Sequence, residues 1–173
     1  MAIEKYRLPL LDVEGVLPIL NKIAVLGGLD DAQLYTVFRM LETEHYNKGE
    51  FIFRQGDAPS HIRIVRSGKV RMVENVDGTA MELCEFGPGD CFGETSVIAI
   101  HTHTASALAV EETELLVIPR EKLFALYDSD PKLFGMLALN IAREACRRLN
   151  KTEDIMLHYA LGRKSENGWK QND

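Results

Sequence analysis

Positive charge is in deficit: 20 Lys+Arg stand against 26 Asp+Glu, a formal net charge of −6. Nucleic-acid binders carry basic surface, so this balance argues against broad contact with DNA or RNA. Cysteine is scarce as well. Cys84, Cys91 and Cys146 contain no CxxC pair and are odd in number, which speaks for reduced thiols and against a disulfide framework, a zinc site or a four-thiolate iron–sulfur cluster. Long apolar runs are missing near the N-terminus, where Pro9, Asp12, Glu14 and Pro18 interrupt the pattern. The best uncharged run there, Ile23–Leu29, is seven residues, while a membrane span needs about 20. No nucleophile-elbow sequence, GxxxxGK loop or paired-carboxylate spacing occurs. These absences predict a cytoplasmic protein without an export signal, without membrane contact and without enzymatic activity.

What remains is ordinary globular material. A chain of 173 residues, 46% apolar and 27% charged, has the length of one domain with a little left over and needs no metal or disulfide to fold. Its patterning falls into three zones. Over residues 12–43 apolar residues recur at helical spacing: Val16, Leu17, Leu20, Ile23 and Ala24, then Leu34, Val37, Phe38 and Leu41. Gly27-Gly28 separates the two helices, and Asp30 with Gln33 predicts a capped start for the second. Over residues 44–118 the period becomes two, with glycines at 49, 56, 68, 78, 87 and 89 between short apolar runs. That rhythm predicts an antiparallel β jelly-roll sandwich. Over residues 120–162 the helical period returns. Asp130-Pro131 is a strong start signal for a helix reaching Leu161. Leu133, Leu137, Ile141, Ala145 and Leu149 form a stripe along it. The expectation is that its first half packs on the sandwich and its second half pairs with a second copy, giving a homodimer. The fold class is thus α+β, mainly β, one domain over residues 1–162, followed by a polar tail over 163–173 that holds the single tryptophan, Trp169.

The most informative segment is FGPGDCFGETSVIAIHTHTASA, residues 86–107. Gly93 leaves the backbone bare, so an anion can approach its N–H and those of its neighbours. Val97–Ile100 predicts a helical turn facing the same point. Glu94 is badly placed for a phosphate but well placed to accept a hydrogen bond from a sugar hydroxyl. Thr95 and Thr104 add hydroxyl donors.

The stretch resembles the phosphate-binding cassette of cyclic nucleotide-binding domains, the family of the catabolite activator protein and of the regulatory subunit of cyclic-AMP-dependent kinase. The likeness extends over roughly Leu17 to Leu149: Lys48-Gly49-Glu50, Gln55-Gly56-Asp57, Arg66-Ser67-Gly68, Gly87-Pro88-Gly89-Asp90 and Phe92-Gly93-Glu94 follow the family's landmarks in order. The resemblance implies a sensor of cyclic AMP or cyclic GMP with no other cofactor and no metal. Gly93 would contact the cyclic phosphate through its backbone, and Glu94 the ribose 2′-hydroxyl. The family's Arg-(Ser/Thr/Ala)-Ala triplet falls on His103-Thr104-Ala105 in the shorter of its two spacings. In the longer one the arginine position falls on Thr104. Leu83, Cys84 and Phe86 fall on the strand that walls the base. By the same resemblance, ligand would move the last helices and so signal to a dimer partner or an unidentified protein.

In either spacing the clamp arginine is absent. A guanidinium grips phosphate through two bonds at once, and losing a hydrogen bond to a charged group costs about 1.5–3 kcal/mol. Free imidazole titrates near pH 6.5, so roughly a quarter of His103 would be charged at pH 7 and affinity would depend on pH. The alternative is a nucleotide-free jelly roll used for protein interaction or dimerisation. A further rival is a cupin-like metalloenzyme, since His101 and His103 on one strand would face the same way. Its required later Gly and His are lacking. About a dozen residues follow Leu161, too few for a helix-turn-helix, and the bases Arg143, Arg147, Arg148, Lys151, Arg163 and Lys164 interleave with Glu144, Glu153 and Asp154, which reads as a solvated helix face and not as a DNA-binding surface.

Overall fold

The computed structural model describes residues 8–10, 14–16, 19 and 22–160. Much of the first expected helix, together with the tail and Trp169, therefore lies outside the described residues. What is described there is two 3-10 turns, Glu14–Val16 and Ala24–Leu26. Helix α1 (Asp31–Met40) follows, opened by the expected capping box: Asp30 Oδ1 accepts from the Gln33 N–H at 2.9 Å, and Gln33 Oε1 accepts from the Asp30 N–H at 3.1 Å.

Two antiparallel sheets form the roll. Strands β1 (Leu8–Pro9), β2 (Glu42–Tyr46), β4 (His61–Ser67), β7 (Cys91–Phe92) and β9 (Thr113–Pro119) make one, in the order β1-β2-β9-β4-β7. Strands β3 (Phe51–Phe53), β5 (Val70–Val76), β6 (Thr79–Phe86) and β8 (Ser106–Ala109) make the other, in the order β3-β8-β5-β6. The antiparallel jelly roll is thus present. Of the glycine-marked turns between strands, the one at Gly78 joins two paired strands, β5 and β6, whereas those at Gly49, Gly56, Gly68 and Gly87–Gly89 lead from one sheet to the other. Arg66-Ser67-Gly68-Lys69 is not a hairpin: β4 pairs with β9 and β7, whereas β5 pairs with β6 and β8. The turn carries the chain from one sheet to the other. Gly68, at φ +86°, passes so close to the β8–β9 connection that a Cβ would stand 2.3 Å from the Glu112 carbonyl oxygen.

The first sheet is buried on both faces. In β9, Leu115 and Val117 point into the roll beside Tyr46, Phe53, Val65 and Phe92. Leu116 and Ile118 point out, with Ile62 and Ile64, onto Val37, Leu123, Leu133 and Leu137 of the helices. This outer layer comprises α1, a short helix α2 (Glu94–Ala99), α3 (Arg120–Ser129) and α4 (Pro131–Ala160).

Helix α4 runs 30 residues, about 45 Å at roughly 1.5 Å per residue. Asp130 caps it, its Oδ1 accepting from the Leu133 N–H at 3.0 Å. Leu133, Leu137 and Ile141 are buried as the stripe predicts. Leu149, Met156 and Tyr159 stand 58%, 65% and 83% exposed, so the second half leaves the body of the domain. Among the described residues, no helix is long and apolar enough to cross a membrane.

Gly135 sits inside α4 on its exposed side, and a Cβ there would meet nothing within 4 Å. Gly135→Ala is expected to stabilise the fold by about 1 kcal/mol, because glycine gives up more backbone freedom than alanine in a helix interior. Thermal unfolding of the two proteins checks this; a lower midpoint for the variant would count against a regular helix at this point.

Candidate ligand-binding site

Glycine-rich local sequence makes the site's corner. Strand β7 ends at Phe92, and Gly93 then turns at φ +80° into α2, whose first residue is Glu94. A Cβ on Gly93 would lie 3.1 Å from the His61 carbonyl oxygen, 3.8 Å from Arg63 Nη1 and 3.8 Å from His103 Cε1. Helix α2 ends at Ile100, a β-branched residue held at φ +56°, a costly backbone of the kind that collects at functional turns.

Glu94 is fully buried. One oxygen, Oε1, accepts from Arg148 Nη1 at 2.7 Å. The other, Oε2, is buried without a hydrogen-bonding partner among the described residues. Burial pushes the carboxyl above its ordinary range, with the Arg148 guanidinium opposing. Arg148 comes from the exposed half of α4. Its guanidinium also donates to the Cys91 carbonyl oxygen, meets Glu144, and lies 4.9 Å over the Phe86 ring. The sequence pattern assigned this arginine to a solvated face; the structure instead has it 31% exposed and tied to the cassette acid.

His103 is buried, 3% exposed, and stacks on Phe53 with ring centroids 3.7 Å apart. Its Nε2 has no partner among the described residues. Burial first, and then the positive charge of Arg63, lower its pKa to about 4. The ring is therefore neutral at pH 7, and the quarter charge expected from free imidazole does not hold. Thr104 is exposed and Ala105 is buried, so the residue turned toward Gly93 is His103, as in the shorter spacing. Thr95 is exposed as well.

Phe86 is buried and stacked on Phe92 at 5.5 Å. Leu83 and Cys84 are exposed on the edge strand β6, and the Cys84 thiol, raised chiefly by burial, feels Arg148 and Lys151 of α4. Gly93, Glu94, Phe86 and His103 therefore converge, Cys84 faces the same helix, and Thr95 and Thr104 lie at the rim. The metal-site alternative loses its premise. Residues 101–103 are not a strand, His101 is exposed with Nδ1 2.7 Å from the Thr102 carbonyl oxygen, and among the described residues no three metal-ligating side chains gather.

Two residues escaped the sequence reading. Arg148 could have been suspected only from a three-dimensional argument, since it is 54 residues from Glu94. Arg63 alternates with Ile62 and Ile64 and so reads as an outward polar position. It points into the roll, 3% exposed, and pairs with Glu44 Oε2 at 3.5 Å.

Comparison with known proteins fits this geometry. The profile of the cyclic nucleotide-binding domain matches residues 43–130. The cyclic AMP receptor protein of Thermus thermophilus is 35% identical over 127 residues, 73% of this chain and 57% of that protein. The crystal structure of the catabolite activator protein from the same organism superposes with a TM-score of 0.69 at 34% identity, over 79% of this chain and 62% of that one. A cyclic nucleotide-binding domain from Methylobacillus flagellatus shares the fold, with a TM-score of 0.74 at 21% identity and coverage of 83% and 82%. The chain spans little more than half the length of the receptor protein it matches.

Proposed function

The chain belongs to the cyclic nucleotide-binding domain family, and from that premise we propose that it is a non-enzymatic cytoplasmic sensor that binds cyclic AMP or cyclic GMP inside the roll and signals through α4. The observation that carries this reading is the Glu94 carboxylate: fully buried, with Oε1 held by α4 and Oε2 without a hydrogen-bonding partner among the described residues. A buried acceptor without a donor costs free energy. A ribose hydroxyl donating to Oε2 removes that cost, while the backbone of Gly93 and Glu94 meets the cyclic phosphate and Phe86 and Cys84 wall the base.

The same carboxylate gives the signal its route. Arg148 fastens the exposed half of α4 to Glu94, to the Cys91 carbonyl and over Phe86. Sugar binding at Glu94 alters the contact that sets where α4 lies. Hydrogen exchange with saturating cyclic AMP or cyclic GMP tests this. Protection is expected to rise over residues 93–99 and to change over 144–160; exchange unchanged in both segments would contradict the reading.

The output is an interaction. Leu149, Met156 and Tyr159 are exposed and follow heptad spacing with Ala142, Ala145 and Thr152. That seam supports a homodimer through α4. Leu149→Glu combined with Met156→Glu is expected to give a monomer by analytical ultracentrifugation where the unaltered chain is dimeric; a dimer that survives both charges would place the interface elsewhere. The basic residues of α4 are largely engaged, Arg147 with Glu144 and Arg143 with Asn140, which supports protein and not DNA as the partner.

A further inference from the structure

The cassette lacks its arginine, yet a guanidinium already stands at its corner, approaching from beneath. We propose that Arg63, from the inner face of β4, supplies the cation that holds the ligand's cyclic phosphate. This inference rests on the cyclic-nucleotide reading above and adds to it the residue that makes up for His103.

Position comes first. Arg63 is register partner of Phe92 in the β4–β7 ladder, and opposed residues of an antiparallel pair project to the same side. Phe92 is in the inner cluster, with Val65 two residues along from Arg63. The guanidinium is therefore inside the roll, one residue from the cassette glycine. Nη1 and His103 Cε1 both lie 3.8 Å from where a Gly93 Cβ would be. The guanidinium carbon is 5.2 Å from the centroid of Phe53, the ring on which His103 stacks.

Bonding comes second. A guanidinium offers five N–H donors in a fixed fork. Here the described hydrogen bond is one, from Nη1 to the His61 carbonyl oxygen at 3.3 Å. Nε is buried without a hydrogen-bonding partner among the described residues and sits 3.5 Å from Glu44 Oε2. Glu44 Oε2 in turn accepts from the Tyr46 hydroxyl at 2.8 Å. A purely structural ion pair at this depth needs good geometry and well-satisfied donors to offset desolvation. Arg63 has neither. Its loose pairing leaves N–H groups for a second anion, and the neutral ring of His103 offers that anion an N–H without competing for charge. The two side chains together reproduce a bidentate grip: charge and a donor from Arg63, a further donor from His103.

Calorimetric titration with cyclic AMP and cyclic GMP tests the assignment on four proteins: the unaltered chain, Arg63→Gln, Glu44→Gln and His103→Arg. Arg63→Gln is expected to weaken binding roughly tenfold or more. Glu44→Gln keeps an acceptor for Tyr46 but releases the guanidinium from its competing carboxylate, and is expected to tighten binding several-fold. That gain is a result a merely structural arginine would not produce, and it stands even if Arg63→Gln does not fold. Equal affinity in the unaltered chain, Arg63→Gln and Glu44→Gln would overturn the role of Arg63 while leaving cyclic-nucleotide binding intact. No binding by any of the four, His103→Arg included, would overturn both.

Discussion

Replacing His103 with arginine is expected to tighten cyclic-nucleotide binding by about 10- to 150-fold, the equivalent of roughly 1.5–3 kcal/mol for a charge-assisted contact. His103 is buried, faces Gly93 and has an Nε2 without a partner among the described residues, so its side chain is the one aimed where the phosphate is expected. Neutral imidazole brings a single N–H. An arginine brings a permanent charge and two parallel donors. It also keeps a favourable contact with the Phe53 ring that His103 now covers. Arg63 is close by, and the repulsion between two cations in the unliganded variant is relieved when an anion enters, which favours binding further. Calorimetric titration of the two proteins reads the effect. Thr104→Arg is the control. Residue 104 is exposed, so no comparable gain is expected from it, and a gain there with none at 103 would mean the longer spacing is the working one.

Acid is expected to destabilise the fold by up to about 3 kcal/mol through the same histidine. Its pKa is lowered from 6.5 to about 4, first by burial and then by the charge of Arg63, and each unit of difference between folded and unfolded chains is worth about 1.36 kcal/mol. As pH falls below about 6.5 the unfolded chain takes up the proton and the folded chain does not. Stability is therefore complete above that pH and is lost progressively down to about pH 4. Glu94 acts in the opposite sense. Its carboxyl is raised by burial, so its folded form protonates before its unfolded form and stability is regained as pH falls through the carboxylate range. The His103 effect is cleanest between pH 6.5 and 5. Urea unfolding at pH 7.5, 6.0 and 5.0 measures it, with His103→Phe as comparison. Phenylalanine keeps a ring on Phe53 and cannot titrate, so its stability is expected to change much less over this range. Parallel curves for the two proteins would mean that His103 charges freely in the folded state.

The fold was legible because its signals are local. The Asp30–Gln33 box and the Asp130-Pro131 start are each decided by a few neighbouring residues. The corner at Gly68 was not legible, because a sharp turn between apolar runs looks the same whether the strands pair or part into two sheets. What decides it is the passage of the Glu112–Thr113 backbone beside that glycine, 44 residues away in sequence. At the candidate site, Gly93, Glu94 and His103 stand out in sequence because they lie in one contiguous segment. Arg63 could not. Alternation with two isoleucines marks it as outward, and it points inward because this sheet is covered on both faces and helices claim the isoleucines. The charge state of His103 is hidden in the sequence for the same reason, since burial and a neighbouring arginine are properties of the folded molecule. Arg148 reads as one more base on a polar helix, and only the packing of α4 beside Glu94 sets it apart.

A cyclic nucleotide that enters the roll is expected to engage Glu94. Titration calorimetry of the purified chain with cyclic AMP and cyclic GMP at pH 7.5, beside Glu94→Gln and His103→Arg, tests it most directly. Saturable binding that weakens in Glu94→Gln and strengthens in His103→Arg is the predicted result. An absence of heat with both nucleotides, in the unaltered chain and in His103→Arg alike, would contradict it and leave a cyclic nucleotide-binding fold used for contact with another protein.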